Sequence, residues 1–198
     1  MKKWTMILVA ALMLAACSEE MAEPEKKVQK ENNTVIIRAD DLFKGDAKAL
    51  EPHLPIKGSA VSLSKPSDVK VFFQQWKNGK MVQEGSQLSG DSQKEIQAIT
   101  FSLQPDPSNT KARLVTIAAN GKGTESSITS HIDGPEEESM SWEANLAELE
   151  GTMELKPGER KAVWGYGTST GDNLEGSDSE KGVQDADWGL LFYVEAPQ

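Results

Sequence analysis

The sequence has little of several residue types. Its 198 residues include one cysteine, Cys17, and two histidines. A single cysteine excludes an intrachain disulfide, and a chain with so few Cys and His residues lacks the usual ligands of a zinc site. Basic residues are also in deficit, with 21 Lys and Arg against 31 Asp and Glu, and the formal charge is −10. Because nucleic acids bind through clusters of Lys and Arg, this balance argues against a nucleic-acid partner.

Long apolar runs are scarce too, and the longest lies at the N-terminus. Residues 4–16 carry no charge and follow the basic pair Lys2 and Lys3. Thirteen uncharged residues are too few for a spanning helix, which needs about 20. A basic start followed by a short apolar centre predicts a secretion signal rather than a permanent transmembrane anchor.

The end of this run is distinctive. Leu14-Ala15-Ala16-Cys17 resembles the lipobox of bacterial lipoproteins. The resemblance implies that the Cys17 thiol receives a diacylglycerol thioether and that a signal peptidase cuts before Cys17. In proteins of this kind the new amino group often takes a fatty acid, such as palmitate, as well. Two or three acyl chains hold a protein at a membrane, whereas one holds it marginally. The alternative is an unmodified cysteine at the end of a buried helix.

These features divide the chain into three parts. Residues 1–16 are expected to form a lipoprotein signal peptide, residues 17–33 the lipidated cysteine and a flexible tether, and residues 34–198 the folded domain. The tether is rich in Glu and Lys and poor in apolar residues, so it cannot offset the entropy of ordering. Removal of residues 1–16 takes Lys2 and Lys3 away and changes the formal charge from −10 to −12.

From Thr34 onward, apolar residues alternate with polar ones, as in half-buried strands. The clearest unit is a hairpin, in which Asn78-Gly79 separates two β-rich runs and supplies the positive φ angles of a type I′ turn. Other alternating segments are 34–40, 98–103, 111–119, 126–132, 153–155, 162–166 and 188–194. Residues 140–151 fit a strand slightly better than a helix, and residues 40–50, interrupted by Gly45, predict a short helical connection.

Some eight or nine short strands without a long amphipathic helix predict an all-β fold. The stretch Leu155-Lys156-Pro157-Gly158-Glu159 resembles the turn near the end of many Ig-like bacterial sandwich domains. Together these features predict a single Ig-like antiparallel β-sandwich.

Catalytic and metal-binding patterns are weak. His53 and His131 lie far apart in the sequence without neighbours at metal-ligand spacing. No nucleophile-elbow motif is present. The densest acidic cluster fails the EF-hand spacing, so a solvated acidic loop is the simpler interpretation and an irregular calcium site the alternative; its members are Asp172, Glu175, Asp178, Glu180, Asp185 and Asp187. We therefore predict no catalytic residue, no cofactor and no metal ligand.

The last third of the chain offers two further features. Trp142, Trp164, Tyr166 and Trp188 are expected to pack in the core, although aromatic faces also hold sugars and peptides. Residues 165–189 predict a long connector, which is either a mobile acidic loop or a binding surface.

The resulting functional hypothesis is a lipid-anchored, extracytoplasmic binding or accessory module for a protein, peptide or cell-wall ligand such as a glycan. The alternatives are an envelope glycan hydrolase with paired carboxylates and a calcium-dependent adhesive module.

Overall fold

The computed structural model describes residues 34–89, 96–121, 124–136, 140–149, 151–171 and 178–198. The predicted signal peptide, Cys17 and the tether lie outside the described residues. In chain order the elements are β1 (Val35–Asp40), a 3-10 helix (Gly45–His53), β2 (Lys57–Ser67), β3 (Lys70–Lys77), β4 (Lys80–Ser89), β5 (Ile96–Asp106), β6 (Asn109–Gly121), β7 (Thr124–Asp133), β8 (Met140–Ala144), α1 (Leu146–Leu149), β9 (Met153–Leu155), β10 (Arg160–Ser169), α2 (Glu180–Asp185) and β11 (Trp188–Glu195).

The strands form two antiparallel sheets, and the all-β sandwich is confirmed. One sheet has six strands in the order β7-β6-β5-β2-β1-β9, and the other has five in the order β4-β3-β11-β10-β8.

In the six-stranded sheet, buried and more exposed residues alternate along the strands, as in β5, where Ile99, Phe101 and Leu103 are buried. Phe101 reaches across to the second sheet and lies 5.0 Å, centroid to centroid, from Phe192. Aromatic side chains from both layers thus fill the space between the sheets.

The predicted β3–β4 hairpin is present. Asn78 has φ 50° and Gly79 has φ 76°, the two positive values that a type I′ turn requires. The short helical connection predicted over residues 40–50 is the 3-10 helix. Residues 140–151 contain both structures that the pattern left open, since strand β8 is followed directly by helix α1.

The second sheet is covered on its outer face as well. Nearly every residue of β11 is buried, including Leu191 and Tyr193, which point away from the main core. These two pack with Phe72 and with Val183 of α2, and the Phe72 and Tyr193 rings stack at 5.3 Å. Helix α2 therefore shields the outer face of β11.

Two expectations from the sequence were wrong. Residues 165–189 do not form one long irregular connector, because β10 continues to Ser169 and α2 occupies Glu180–Asp185. The Ser179 hydroxyl caps α2 by accepting from the Gly182 N–H at 3.0 Å, and Val183 is fully buried. The strand count was also too low, since the described residues contain eleven strands, and β2 is not among the segments predicted above.

Candidate functional site

A pocket of about 330 Å³ opens where four segments meet at one end of the sandwich. The segments are the β3–β4 turn, the chain that follows β7, the end of β10 and the start of β11. Its lining residues are Lys77, Asn78, Pro135, Glu136, Thr168, Thr170, Asp187 and Trp188. Loops at the end of a rigid sandwich are a common place for binding residues.

The β3–β4 turn is held by α2. The Asn78 N–H donates to the Ala186 carbonyl at 3.0 Å, and the Gly79 N–H donates to the Gln184 carbonyl at 3.1 Å. Both residues of the turn therefore have their backbone donors bound. This attachment positions the neighbouring Lys77 at the pocket.

The wall of the pocket that contains Pro135 and Glu136 is held in place through the Asp133 carbonyl. The main-chain oxygen of Asp133 accepts from Trp188 Nε1 and from Gln75 Nε2, each at 2.9 Å. Asp133 ends β7 in one sheet, whereas both donors belong to the other sheet. Gly134 continues the anchoring with an N–H bond of 2.7 Å to the Lys111 carbonyl. These contacts hold Pro135 and Glu136 over the pocket.

Thr168 contributes a buried hydroxyl. It follows Trp164 and Tyr166 at two-residue spacing on β10, on the face toward the core, and it is 0% exposed. Its Oγ1 has no hydrogen-bond partner among the described residues. A buried polar atom without a partner costs about 1–3 kcal/mol and calls for a physical explanation.

Asp187 provides an ordered negative charge. Its Oδ2 accepts from the Thr170 N–H at 2.7 Å and the Thr170 hydroxyl at 2.8 Å, and from the Ser169 hydroxyl at 3.4 Å. The backbone bond from Thr170, followed by the Thr170 hydroxyl, lowers the pKa of Asp187 below its ordinary value. The carboxylate is therefore ionised at neutral pH, and it lacks the raised pKa that a glycosidase general acid needs.

Lys77 supplies the positive charge of the pocket. No ion pair joins it to any residue in the described part of the chain, including Asp187 and Glu136 on the same lining. Opposite charges thus share the pocket without contacting each other.

Three of the four aromatic residues, Trp164, Tyr166 and Trp188, pack in the core, as the simpler expectation had it, whereas the expectation was wrong for Trp142, which is only partly buried and belongs to no core cluster. Trp164 is 0% exposed, and Trp188 is 2% exposed with its ring edge-on to Tyr166 at 6.3 Å. Trp142 lies over Gly167, where an added Cβ would overlap the indole ring. The faces of Trp164 and Trp188 are therefore not open platforms for a sugar.

The histidines lie apart from the pocket. His53 ends the exposed 3-10 helix, and His131 Nδ1 lies 2.8 Å from Asp106 Oδ2. The Ser108 hydroxyl also binds Asp106, at 2.6 Å from Oδ1. Since serine and histidine both bind the carboxylate instead of each other, this cluster does not form a serine-activating triad.

The structure describes four of the six residues in the C-terminal acidic cluster, and three of these four, Glu180, Asp185 and Asp187, form hydrogen bonds or ion pairs. Asp185 pairs with Lys181, and Glu180 accepts from the Tyr193 hydroxyl at 2.8 Å. Asp172 and Glu175 lie outside the described residues. Among the residues that the structure does describe, no group of three or more His, Cys, Asp or Glu side chains could hold a metal ion.

Sequence reasoning identified part of the pocket. Residues 165–189, considered above as a possible binding surface, contribute Thr168, Thr170, Asp187 and Trp188 to the lining, and Asn78 was singled out as a turn residue. Lys77, Pro135 and Glu136 carry no local signal, because their segments meet the others only in the folded chain.

Comparison with known proteins identifies the N-terminal region. Residues 1–18 match the family model of the prokaryotic membrane lipoprotein lipid attachment site. The chain is a lipid-anchored, extracytoplasmic protein of the bacterial cell envelope. No curated protein and no solved structure matches it. Across the described ranges, the lipoprotein has no helix that is both long and apolar enough to span a bilayer.

Proposed function

We propose that this lipoprotein is an extracytoplasmic binding module, held to the membrane through lipid on Cys17, that captures a ligand in the pocket at the end of its sandwich. The lipid consists of a diacylglycerol thioether with a further fatty acid on the amino group, and residues 17–33 act as the tether. Cys17 supports this role because it is the one cysteine of the chain and lies within the matched residues 1–18.

The observation that carries the proposal is the buried Thr168 hydroxyl, which has no partner among the described residues, in a pocket that is also lined by ionised Asp187 and by Lys77, which forms no ion pair with any of them. A buried hydroxyl without a partner is costly, whereas a ligand can satisfy it and can bind Lys77 and Asp187 at the same time. The pocket walls are anchored by backbone hydrogen bonds, so little ordering is needed when a ligand binds.

A binding role does not depend on the Ig-like assignment. That assignment rests on the turn of residues 155–159, which joins β9 to β10 with Gly158 at φ 74°. The eleven described strands exceed the seven or nine of immunoglobulin domains.

Photo-crosslinking in the native envelope tests the proposal. A photoreactive amino acid replaces Thr170 at the pocket rim in the full-length lipoprotein. In a matched control it replaces Glu125, which is exposed on β7. We expect a discrete light-dependent adduct from position 170 and none from position 125. The same adducts at both positions, or none at position 170, would contradict a binding role for the pocket.

A further inference from the structure

We infer that the pocket takes a zwitterion of amino-acid or dipeptide size, with its ammonium toward Asp187 and its carboxylate toward Lys77 and Thr168. This inference rests on the proposed binding function and names the ligand class. It follows from the charges of the lining, from the buried Thr168 hydroxyl, from the lack of an exposed aromatic face in the lining, and from the size of the pocket.

The charges of the lining favour a ligand that carries both signs. Lys77 offers an ammonium that forms no ion pair within the described ranges, and Asp187 offers a carboxylate whose Oδ2 is already bound by Thr170 and Ser169. The described residues provide no hydrogen bond to Asp187 Oδ1, which is left for a ligand. Hydrogen bonds between ionised groups are about twice as strong as neutral ones.

Thr168 adds a directional contact. Its hydroxyl is fully buried and has no partner in the described part of the chain. A ligand carboxylate can accept its proton and thereby remove the cost of the unmade bond. Thr168 and Lys77 would then bind the same carboxylate from two sides of the pocket.

Other ligand classes fit less well. A simple anion would meet ionised Asp187, and a simple cation or a metal ion would meet Lys77. A carbohydrate usually stacks on an exposed aromatic face, but Trp188 is 2% exposed and its indole N–H is bound to the Asp133 carbonyl. A zwitterion satisfies Lys77 and Asp187 without requiring a stacking surface, and the second carboxylate of the lining, Glu136, also favours a ligand that carries an ammonium.

The pocket size restricts the ligand further. About 330 Å³ is near the lower limit of small-molecule pockets, which range from roughly 300 to 1,000 Å³. An amino acid or a dipeptide suits this volume, while a long peptide would leave most of its length outside.

Calorimetric titration of the full-length lipoprotein in detergent micelles tests the ligand class. The probes are L-alanine and L-alanyl-L-alanine, compared with N-acetyl-L-alanine, which lacks the ammonium, and L-alaninamide, which lacks the carboxylate. We expect at least one zwitterion to bind about tenfold or more tighter than both single-charge probes, the loss expected for one charge-assisted hydrogen bond. The tighter of the two zwitterions identifies whether a free amino acid or a peptide is the better ligand.

Variants of the lining test the site. Lys77→Met and Thr168→Val should each weaken zwitterion binding about tenfold, whereas Lys80→Met, beyond the same turn, should leave it unchanged. Thr168→Ser retains the hydroxyl and should retain most of the affinity. Thr168→Val should keep or raise the melting temperature, because it removes a hydroxyl that has no partner, so any loss of binding is not a loss of folding.

Three results would overturn the inference: equal binding of the zwitterions and a single-charge probe, no binding of any probe, or full zwitterion affinity in both Lys77→Met and Thr168→Val. In each case the crosslinking experiment at Thr170 still decides separately whether the pocket binds another ligand.

Discussion

The indole N–H of Trp188 donates to the main-chain oxygen of Asp133 at 2.9 Å, and this bond joins the two sheets at the edge of the pocket. Gln75 donates to the same oxygen from the neighbouring strand β3. The wall formed by Pro135 and Glu136 is therefore held by side chains from the opposite sheet.

The first prediction concerns this bond. Trp188→Phe should lower the free energy of unfolding by about 1 kcal/mol more than Trp164→Phe. Both tryptophans are nearly fully buried, but Trp164 Nε1 has no hydrogen-bond partner in the described residues, so its replacement loses packing alone. Denaturant unfolding of both variants provides the comparison. Equal losses would mean that the bond to Asp133 contributes nothing measurable.

The second prediction concerns acid stability. Hydrogen bonds from the Ser108 hydroxyl and N–H, with a smaller contribution from His131, lower the pKa of Asp106 from its ordinary value of 3.8 to about 2. A carboxylate with a lowered folded-state pKa stabilises the fold above its unfolded-state pKa, and this contribution is lost as the pH falls from about 4 toward 2.

Asp106→Asn should therefore destabilise the protein at neutral pH and make its stability less dependent on pH between about 4 and 2. Unfolding midpoints measured across this range test the prediction. Asp46→Asn, in the exposed 3-10 helix, serves as the control. If Asp106→Asn retains the same acid dependence as the parent protein, the Asp106 cluster is not its source.

The third prediction concerns the contact between α2 and β11. A Cβ at Gly189 would overlap the Val183 carbonyl oxygen. Gly189→Ala should cost about 1–3 kcal/mol, because α2 must move off the sheet. Gly171→Ala is the control, since the nearest atom to its new Cβ is the Ser169 hydroxyl at 3.7 Å. A melting temperature of Gly189→Ala equal to that of the control would show that α2 docks loosely.

The fourth prediction concerns the anchor. Cys17→Ser should release the protein from membranes and leave the precursor uncut or cut elsewhere, because the serine hydroxyl cannot form the thioether. Membrane fractionation followed by a carbonate wash measures the effect, with Ser18→Ala as a control that keeps the cysteine. Retention of Cys17→Ser in the washed membranes would contradict lipid anchoring at this residue.

Much of the fold could be predicted from local patterns. Ile99, Phe101 and Leu103 alternate with polar residues because one face of β5 lies on the core and the other does not. The Asn78-Gly79 turn could be predicted because its two residues tolerate positive φ.

Two elements escaped prediction for physical reasons. Strand β2 lies between β5 and β1, yet only Val61 and Leu63 alternate with serines in it, which is a short pattern for an eleven-residue strand, and its place depends on pairing with both neighbours. Helix α2 needs a single fully buried side chain, Val183, to dock on the sheet, and one residue produces no periodicity.

The sequence by itself determined where the protein resides and its fold class. The lipobox is a contiguous stretch of residues, and strand alternation is likewise a local property, so both can be read without the fold. The tertiary structure decided how the pocket is assembled, because Lys77 and Glu136 lie far in sequence from Thr168 and Asp187 and meet them only when the two sheets pack. Their burial, their hydrogen bonds and the lowered pKa of Asp187 depend on that packing, so no local pattern contains them.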